Sequence, residues 1–158
     1  MRVAVAFDHR GVKLRAAVLE ALAEHEVIDL GTDMDAVRVD YPDKAREIGD
    51  AVSMGDADRG ILVCGSGVGA SVAACKIAGI RAAICHDVYS AHQGVEHDDM
   101  NVLCLGSEIV GESLACDLVG AFLGARFSGG KRYVERLRKV DELEREMKRG
   151  QEQTSSAI

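Results

Sequence analysis

Residues 60–86 read GILVCGSGVGASVAACKIAGIRAAICH, and this stretch decides the fold class. Gly60 to Cys64 is a short apolar run that reads as a buried strand. It ends in the turn Gly65-Ser66-Gly67-Val68-Gly69, after which small residues from about Ala70 to Ile77 suit a helix and Ile80 to Ile84 a further strand. Upstream, Val3 to Phe7 reads as a first strand, followed by the turn Asp8-His9-Arg10-Gly11 and by Leu14, Ala17, Val18, Ala21 and Leu22 at helical spacing. A strand at Val27 to Leu30 ends at Gly31-Thr32-Asp33, and Tyr41-Pro42 opens a helix carrying Ala45, Ile48 and Val52, with proline in its first turn. Downstream, a short helix over Asp87 to about Gln93, a fifth strand at Asn101 to Leu105 and a helix over Gly111 to Leu123 continue the alternation. The reading is α/β: a three-layer α/β/α Rossmann-like domain over residues 1–130, with a five-stranded parallel sheet, right-handed crossovers and an extra C-terminal helix. Ligands of such sheets collect beyond the carboxyl ends of the strands. Asp8, His9, Gly31, the segment Cys64 to Gly69, His86 and Gly106 fall there.

From Lys131 the character changes. Val134, Leu137, Val140, Leu143 and Met147 form a narrow apolar stripe on a highly charged helix spanning residues 131–149. Two placements stand for it, across a subunit interface or back on its own sheet. Residues 150–158 read as a flexible tail.

At 158 residues the chain suits one domain, and 47% hydrophobic with 28% charged residues excludes both a disordered and a fibrous protein. Aromatics at 4% with no Trp give little stacking surface for single-stranded nucleic acid, so no nucleic-acid partner is expected. The net charge of −7 is uneven: eleven basic against twenty acidic residues precede Lys131, and eight against six follow from it. An anionic small molecule would therefore need locally placed cations. Cys64, Cys75, Cys85, Cys104 and Cys116 are odd in number and lack C-x-x-C spacing, which argues against a disulfide framework or a zinc site. No apolar stretch approaches the roughly 20 residues of a membrane span, and the start lacks a signal-peptide pattern. A cytoplasmic setting with no membrane partner is expected.

Several residues carry possible chemistry, each beside a plainer reading. The G-x-G-x-G loop from Gly65 to Gly69 can turn backbone amides toward a negative oxygen, or can serve only as a tight strand-to-helix crossing. It is neither a dinucleotide fingerprint nor a P-loop. Cys64, between strand and loop, sits where a thiol meets backbone donors and can act as a base toward carbon; the usual fate of free cysteine is that of a small buried hydrophobe. Asp8 and His9 suit proton transfer or the binding of a hydroxyl or phosphate, or else a capping aspartate beside a solvated histidine. The cluster Glu96-His97-Asp98-Asp99 is a second polar candidate, or an acidic loop. Arg132 and Arg136, one helical turn apart, can clamp a phosphate together, or be plainly solvated.

Taken together and in order, VAVAFDHRGVKLR (3–15), GTD (31–33), DYPD (40–43), ILVCGSGVGASVAACKIAGIRAAICHD (61–87), YSAHQGVEHDDMNVLCLGSEIVG (89–111) and GARFSGGKRYVERL (124–137) resemble the type B ribose-5-phosphate isomerases, a family that includes galactose-6-phosphate isomerase subunits. The resemblance implies aldose–ketose isomerisation of a phosphorylated sugar through a cis-enediolate, in carbohydrate metabolism of the pentose phosphate type, with no cofactor and no metal. It implies that Cys64 is the base and that the amides of Gly65, Ser66, Gly67, Val68 and Gly69 hold the enediolate. His97 matches the ring-opening residue, assisted by Ser66 where many relatives have Thr. Asp8 matches a contact to sugar hydroxyls, and His9, Arg132 and Arg136 match the phosphate clamp. Tyr41 matches a pocket wall, and Asp98 a substrate contact where relatives commonly have Asn. Val95 and Glu108 also depart from the pattern, since arginines are common at both. A homodimer with sites that borrow residues from the partner is further implied, and some relatives pair further into a tetramer. The sugar stays open between ribose 5-phosphate, a hexose 6-phosphate, a tetrose phosphate and a free aldose, and a non-catalytic small-ligand-binding domain is the reading from another class.

Overall fold

Arg2–Phe7 (β1) is a β-branched and alanine run whose last five residues are all buried. Its side chains alternate between faces, so the strand needs an apolar layer on each side. Val3, Val5 and Phe7 enter one hydrophobic cluster, while Ala4 and Ala6 enter the other. The alternation repeats in Arg59–Cys64 (β3) and Val102–Gly106 (β5). Ile61, Val63, Leu103 and Leu105 face the first layer, and Leu62, Cys64, Val102 and Cys104 the second. The structure is a computed structural model that describes residues 1–34 and 37–155, with side chains through residue 146. Glu26–Asp29 (β2) and Ala82–Ile84 (β4) complete a five-stranded, all-parallel sheet in the order β2-β1-β3-β5-β4.

Helices cover both faces. The 3-10 turn Gly11–Leu14 leads into Arg15–Ala21 (α1), which with Val88–Asp98 (α4) and Glu112–Gly124 (α5) brings Val18, Val95, Leu118 and Phe122 to the first cluster. Tyr41–Ser53 (α2) and Val68–Ala74 (α3) bring Ala45, Ile48, Ala70 and Ala74 to the second. Burial of each large apolar side chain stabilises by ~1.5–3 kcal/mol. The three-layer α/β/α architecture read from the sequence is the one observed.

Several boundaries differ from the sequence reading; α3 runs Val68–Ala74 rather than about Ala70 to Ile77, and two others bear on the site. The strand expected to begin at Ile80 begins at Ala82, because the amide of Arg81 donates to the Asn101 side chain at 2.8 Å. The helix expected to end near Gln93 runs five residues further, to Asp98, and stops at Asp99 in the left-handed region with φ 50°. The segment Glu96-His97-Asp98 is thus a helix end rather than a loop. The C-terminal helix Lys131–Ser155 (α6) leans on α4 within the chain. Of the expected tail, the backbone of residues 150–155 continues α6, and residues 156–158 lie outside the described residues, as does the side chain of Met147.

The chain crosses from β1 to β2 on one face of the sheet and from β2 to β3 on the other, so the order reverses between β1 and β3. A crevice opens at such a reversal beyond the carboxyl ends of the strands. Asp8 follows β1 and Cys64 closes β3 at that place.

Candidate active site

Three loops meet at the carboxyl end of the sheet. Asp8, 4% exposed, accepts the amides of Arg10 at 2.9 Å and Gly11 at 2.7 Å through one oxygen, Oδ1. That oxygen caps the turn, as the plainer reading held, and among the described residues Oδ2 has no hydrogen-bond partner in the protein. His9 Nδ1 lies 2.9 Å from the carbonyl of Val39, an oxygen that only accepts, so Nδ1 carries the proton and Nε2 is left for other contacts. The imidazole thereby ties the turn after β1 to the segment before α2.

Cys64 is 3% exposed, and its Sγ accepts the amide of Gly67 at 3.1 Å. Gly67 sits at φ +79°, a conformation open to glycine, and that geometry turns its N–H back onto the sulfur. Ser66 is exposed, and its Oγ accepts the Val68 amide at 3.3 Å. Tyr41, the first residue of α2, lays its ring against Gly69: a Cβ there would fall 2.8 Å from Tyr41 Cζ, so a larger residue would displace the ring. Asp8, His9 and the segment Cys64 to Gly69 therefore lie on adjoining loops at the carboxyl end of the sheet, with the Tyr41 ring against Gly69. Cys85 and Cys104 follow the plainer reading, whereas Cys75 is exposed and Cys116 half-buried. Burial pushes the Cys85 thiol up to about 11 and the Cys104 thiol well above its ordinary value, which suits inert core residues.

His97, Asp98, Arg132 and Arg136 lie elsewhere. Cys64 pairs with Gly106 and Gly60 with Val102, so Val102 marks the amino end of the same ladder, and α4 delivers His97 to that end. At ~3.3 Å per residue the two ends are ~13 Å apart along the strands. There the His97 ring stacks on Tyr133 at 4.3 Å between centroids and 18° between planes. Arg132 and Arg136 stand 4.5 and 5.1 Å from the centroid of the same ring, and Arg132 Nη2 donates to the Tyr133 hydroxyl. Asp98 and Arg136 line a groove of about 760 Å³ between α6 and the residues around β4, together with Cys75, Met100 and Val140. Neither Cys64 nor its loop lines that groove. A single chain thus holds two separate clusters, one with the thiol and its amide loop, the other with an imidazole and two guanidinium groups.

The departures read differently in three dimensions. Glu108 is no free negative charge: Arg10 donates to it from Nε at 3.0 Å and from Nη2 at 2.5 Å, and Lys13 Nζ lies 3.6 Å away. The hydrogen bonds from Arg10 hold the Glu108 carboxyl below the usual range. Val95 is fully buried in the core, so a phosphate contact from that position is closed. Arg10 and Tyr133 escaped the sequence reading, although each stands beside a residue it singled out. Among the described residues no group of three or more His, Cys, Asp or Glu side chains could hold a metal ion, and no helix is long and apolar enough to cross a membrane.

Comparison with known proteins adds an independent line. The ribose/galactose isomerase family profile matches residues 3–140. Ribose-5-phosphate isomerase B of Escherichia coli (strain K12) is 44% identical over 145 residues, covering 90% of this chain and 96% of that protein. The D-erythrulose-4-phosphate isomerase of Pectobacterium atrosepticum is 36% identical over 132 residues, with 82% and 87% covered. The solved structure of ribose-5-phosphate isomerase B from Clostridium thermocellum superposes with a TM-score of 0.89 at 42% identity, covering 93% of this chain and 99% of that one.

Proposed function

The chain belongs to the ribose/galactose isomerase family, and from that premise we propose that this aldose–ketose isomerase interconverts ribose 5-phosphate and ribulose 5-phosphate with Cys64 as the base. The observation that carries the reading is the buried Cys64 Sγ, held by the Gly67 amide inside a glycine loop at the reversal of strand order. Proton transfer next to a carbonyl needs a base, a cradle for the developing oxyanion and an acid–base group for the ring. In the open-chain aldose, deprotonated Cys64 takes the proton from C2, the electron pair moves into the C1–C2 bond, and the carbonyl oxygen becomes an enediolate oxygen facing the amides of Gly65 to Gly69. A proton shifts from the C2 hydroxyl to O1, and return of the abstracted proton to C1 then leaves a hydroxyl at C1 and a carbonyl at C2, the ketose. His97 with Ser66 opens the ring, the unpaired oxygen of Asp8 meets a sugar hydroxyl, Tyr41 walls the pocket, and His9, Arg132 and Arg136 hold the phosphate.

A homodimer makes half-sites of the two clusters. The Cys64 cluster of one subunit is completed by His97, Arg132 and Arg136 of another. The stripe on α6 supports this, since Val134, Val140 and Leu143 are 47%, 51% and 64% exposed in the single chain. The cytoplasm suits five free thiols.

The test is incubation with ribose 5-phosphate in deuterated water. Turnover should incorporate solvent deuterium at carbon, and Cys64→Ala should lower kcat on the order of 10²–10⁴-fold while the protein still binds the sugar phosphate. Near-normal turnover by Cys64→Ala would remove the cysteine from the mechanism. Faster turnover of a tetrose or hexose phosphate than of ribose 5-phosphate would move the assignment to that sugar.

A further inference from the structure

Arg10 crosses the loop that follows Cys64. Its guanidinium lies on the bare backbone of Gly65, where a Cβ would sit 2.9 Å from Nε and 3.1 Å from Cζ, and it grips Glu108 on the far side with two nitrogens. Beneath this bridge the Glu108 amide donates to the Gly65 carbonyl and the Ser107 amide to the Cys64 carbonyl, each at 2.9 Å. Ser107 Oγ closes the ring by donating to the carbonyl of Arg10 at 2.8 Å. The turn after β1, the loop after β3 and the loop after β5 are so joined across the one segment that carries Cys64.

We propose that Arg10, anchored by Glu108, is a positioning residue that straps the Cys64–Gly67 loop into its working geometry. Taking Cys64 as the base, this inference rests on the reading above. As a source of stability the pair is weak, because Arg10 and Glu108 are 54% and 36% exposed and exposed ion pairs contribute little. Its placement is what matters: a fork of two parallel hydrogen bonds fixes direction as well as distance, and the strand-to-helix loop below it aims an amide at the sulfur. Lysine at position 10 supplies the charge without the fork, so it is not an equivalent residue.

The experiment compares Glu108→Gln, Arg10→Lys and the exchanged pair Arg10→Glu/Glu108→Arg with the parent. One readout is iodoacetamide labelling without substrate, resolved by peptide mapping, with the exposed Cys75 as internal reference. Cys64 is 3% exposed and so labels slowly while its loop is held, and the single variants should label it severalfold faster while Cys75 is unchanged. The other is kinetics, where kcat for ribose 5-phosphate should fall about tenfold, in the range that small misplacement of a reacting group produces, with KM moving less. The exchanged pair should restore both. Unchanged Cys64 labelling and kcat in the single variants would overturn the strap, and so would a rise in KM alone, which would make Arg10 a substrate contact instead. The labelling arm needs no sugar and does not depend on Cys64 being the base. A wrong substrate or base would surface in the Cys64→Ala and sugar comparisons, while labelling still reported on the strap.

Discussion

Tyr133 is 9% exposed, and its one ring organises three charged or polar side chains. The stacked His97 fixes the imidazole plane, and the two arginines are held against the aromatic surface by cation–π attraction. Substitution of either arginine therefore removes a pre-oriented cation rather than a mobile one. Arg132→Ala and Arg136→Ala should each raise KM for ribose 5-phosphate by roughly tenfold to a hundredfold, the ~1.5–3 kcal/mol of a charge-assisted contact. Free ribose should respond little, and initial rates across both sugars provide the measurement. The KM effect should exceed the kcat effect because phosphate is remote from the reacting carbons. Unchanged KM in both variants would return α6 to a charged packing helix. These arginines were visible in the sequence as a pair one turn apart, whereas the ring between them read as one more residue of a charged helix. Arg10 was harder still: its partner Glu108 is 98 positions away, and nothing local marks such a pairing.

At the scale of elements, α4 carries the most consequence for the proposed site because it delivers His97. Its start is set by Asp87, whose side chain accepts the Ser90 amide at 2.7 Å and the Ser90 hydroxyl at 2.8 Å. Those bonds hold the Asp87 carboxyl below its usual range. Asp87→Ala should cost ~0.5–2 kcal/mol in urea unfolding, as loss of an N-cap does. The same variant should lower activity further than the stability loss alone accounts for, if fraying of α4 reaches His97. The strands β1, β3 and β5 were legible because continuous apolar runs mark centre strands buried on both faces. The end of α4 was not legible, because Gly94 and the polar run after Val95 read as a loop. Tertiary contact decides otherwise: Gly94 lies against Met100, where a Cβ would meet the sulfur at 3.2 Å, and Asp99 accepts the left-handed turn that ends the helix. The Cys64 loop was read in place for the opposite reason, since a glycine turn at a strand's carboxyl end keeps its position whatever packs around it.

For the whole molecule, the separation of the two clusters makes a complementation experiment decisive. Cys64→Ala and His97→Ala subunits should each be nearly inactive alone. Unfolded and refolded together, they should recover about a quarter of parental activity, since a two-fold dimer that shares its sites leaves one intact site in each mixed pair. Sites contained within single chains would recover none. How copies can meet is also constrained by the borders of the sheet. Its outermost strands are β2, with four residues, and β4, with three. An unpaired border is the natural template for strand-by-strand growth, and short outer strands are one of the ways proteins blunt it. So few backbone donors and acceptors offer an incoming strand only a brief ladder, which protects the chain against amyloid-like extension along its sheet.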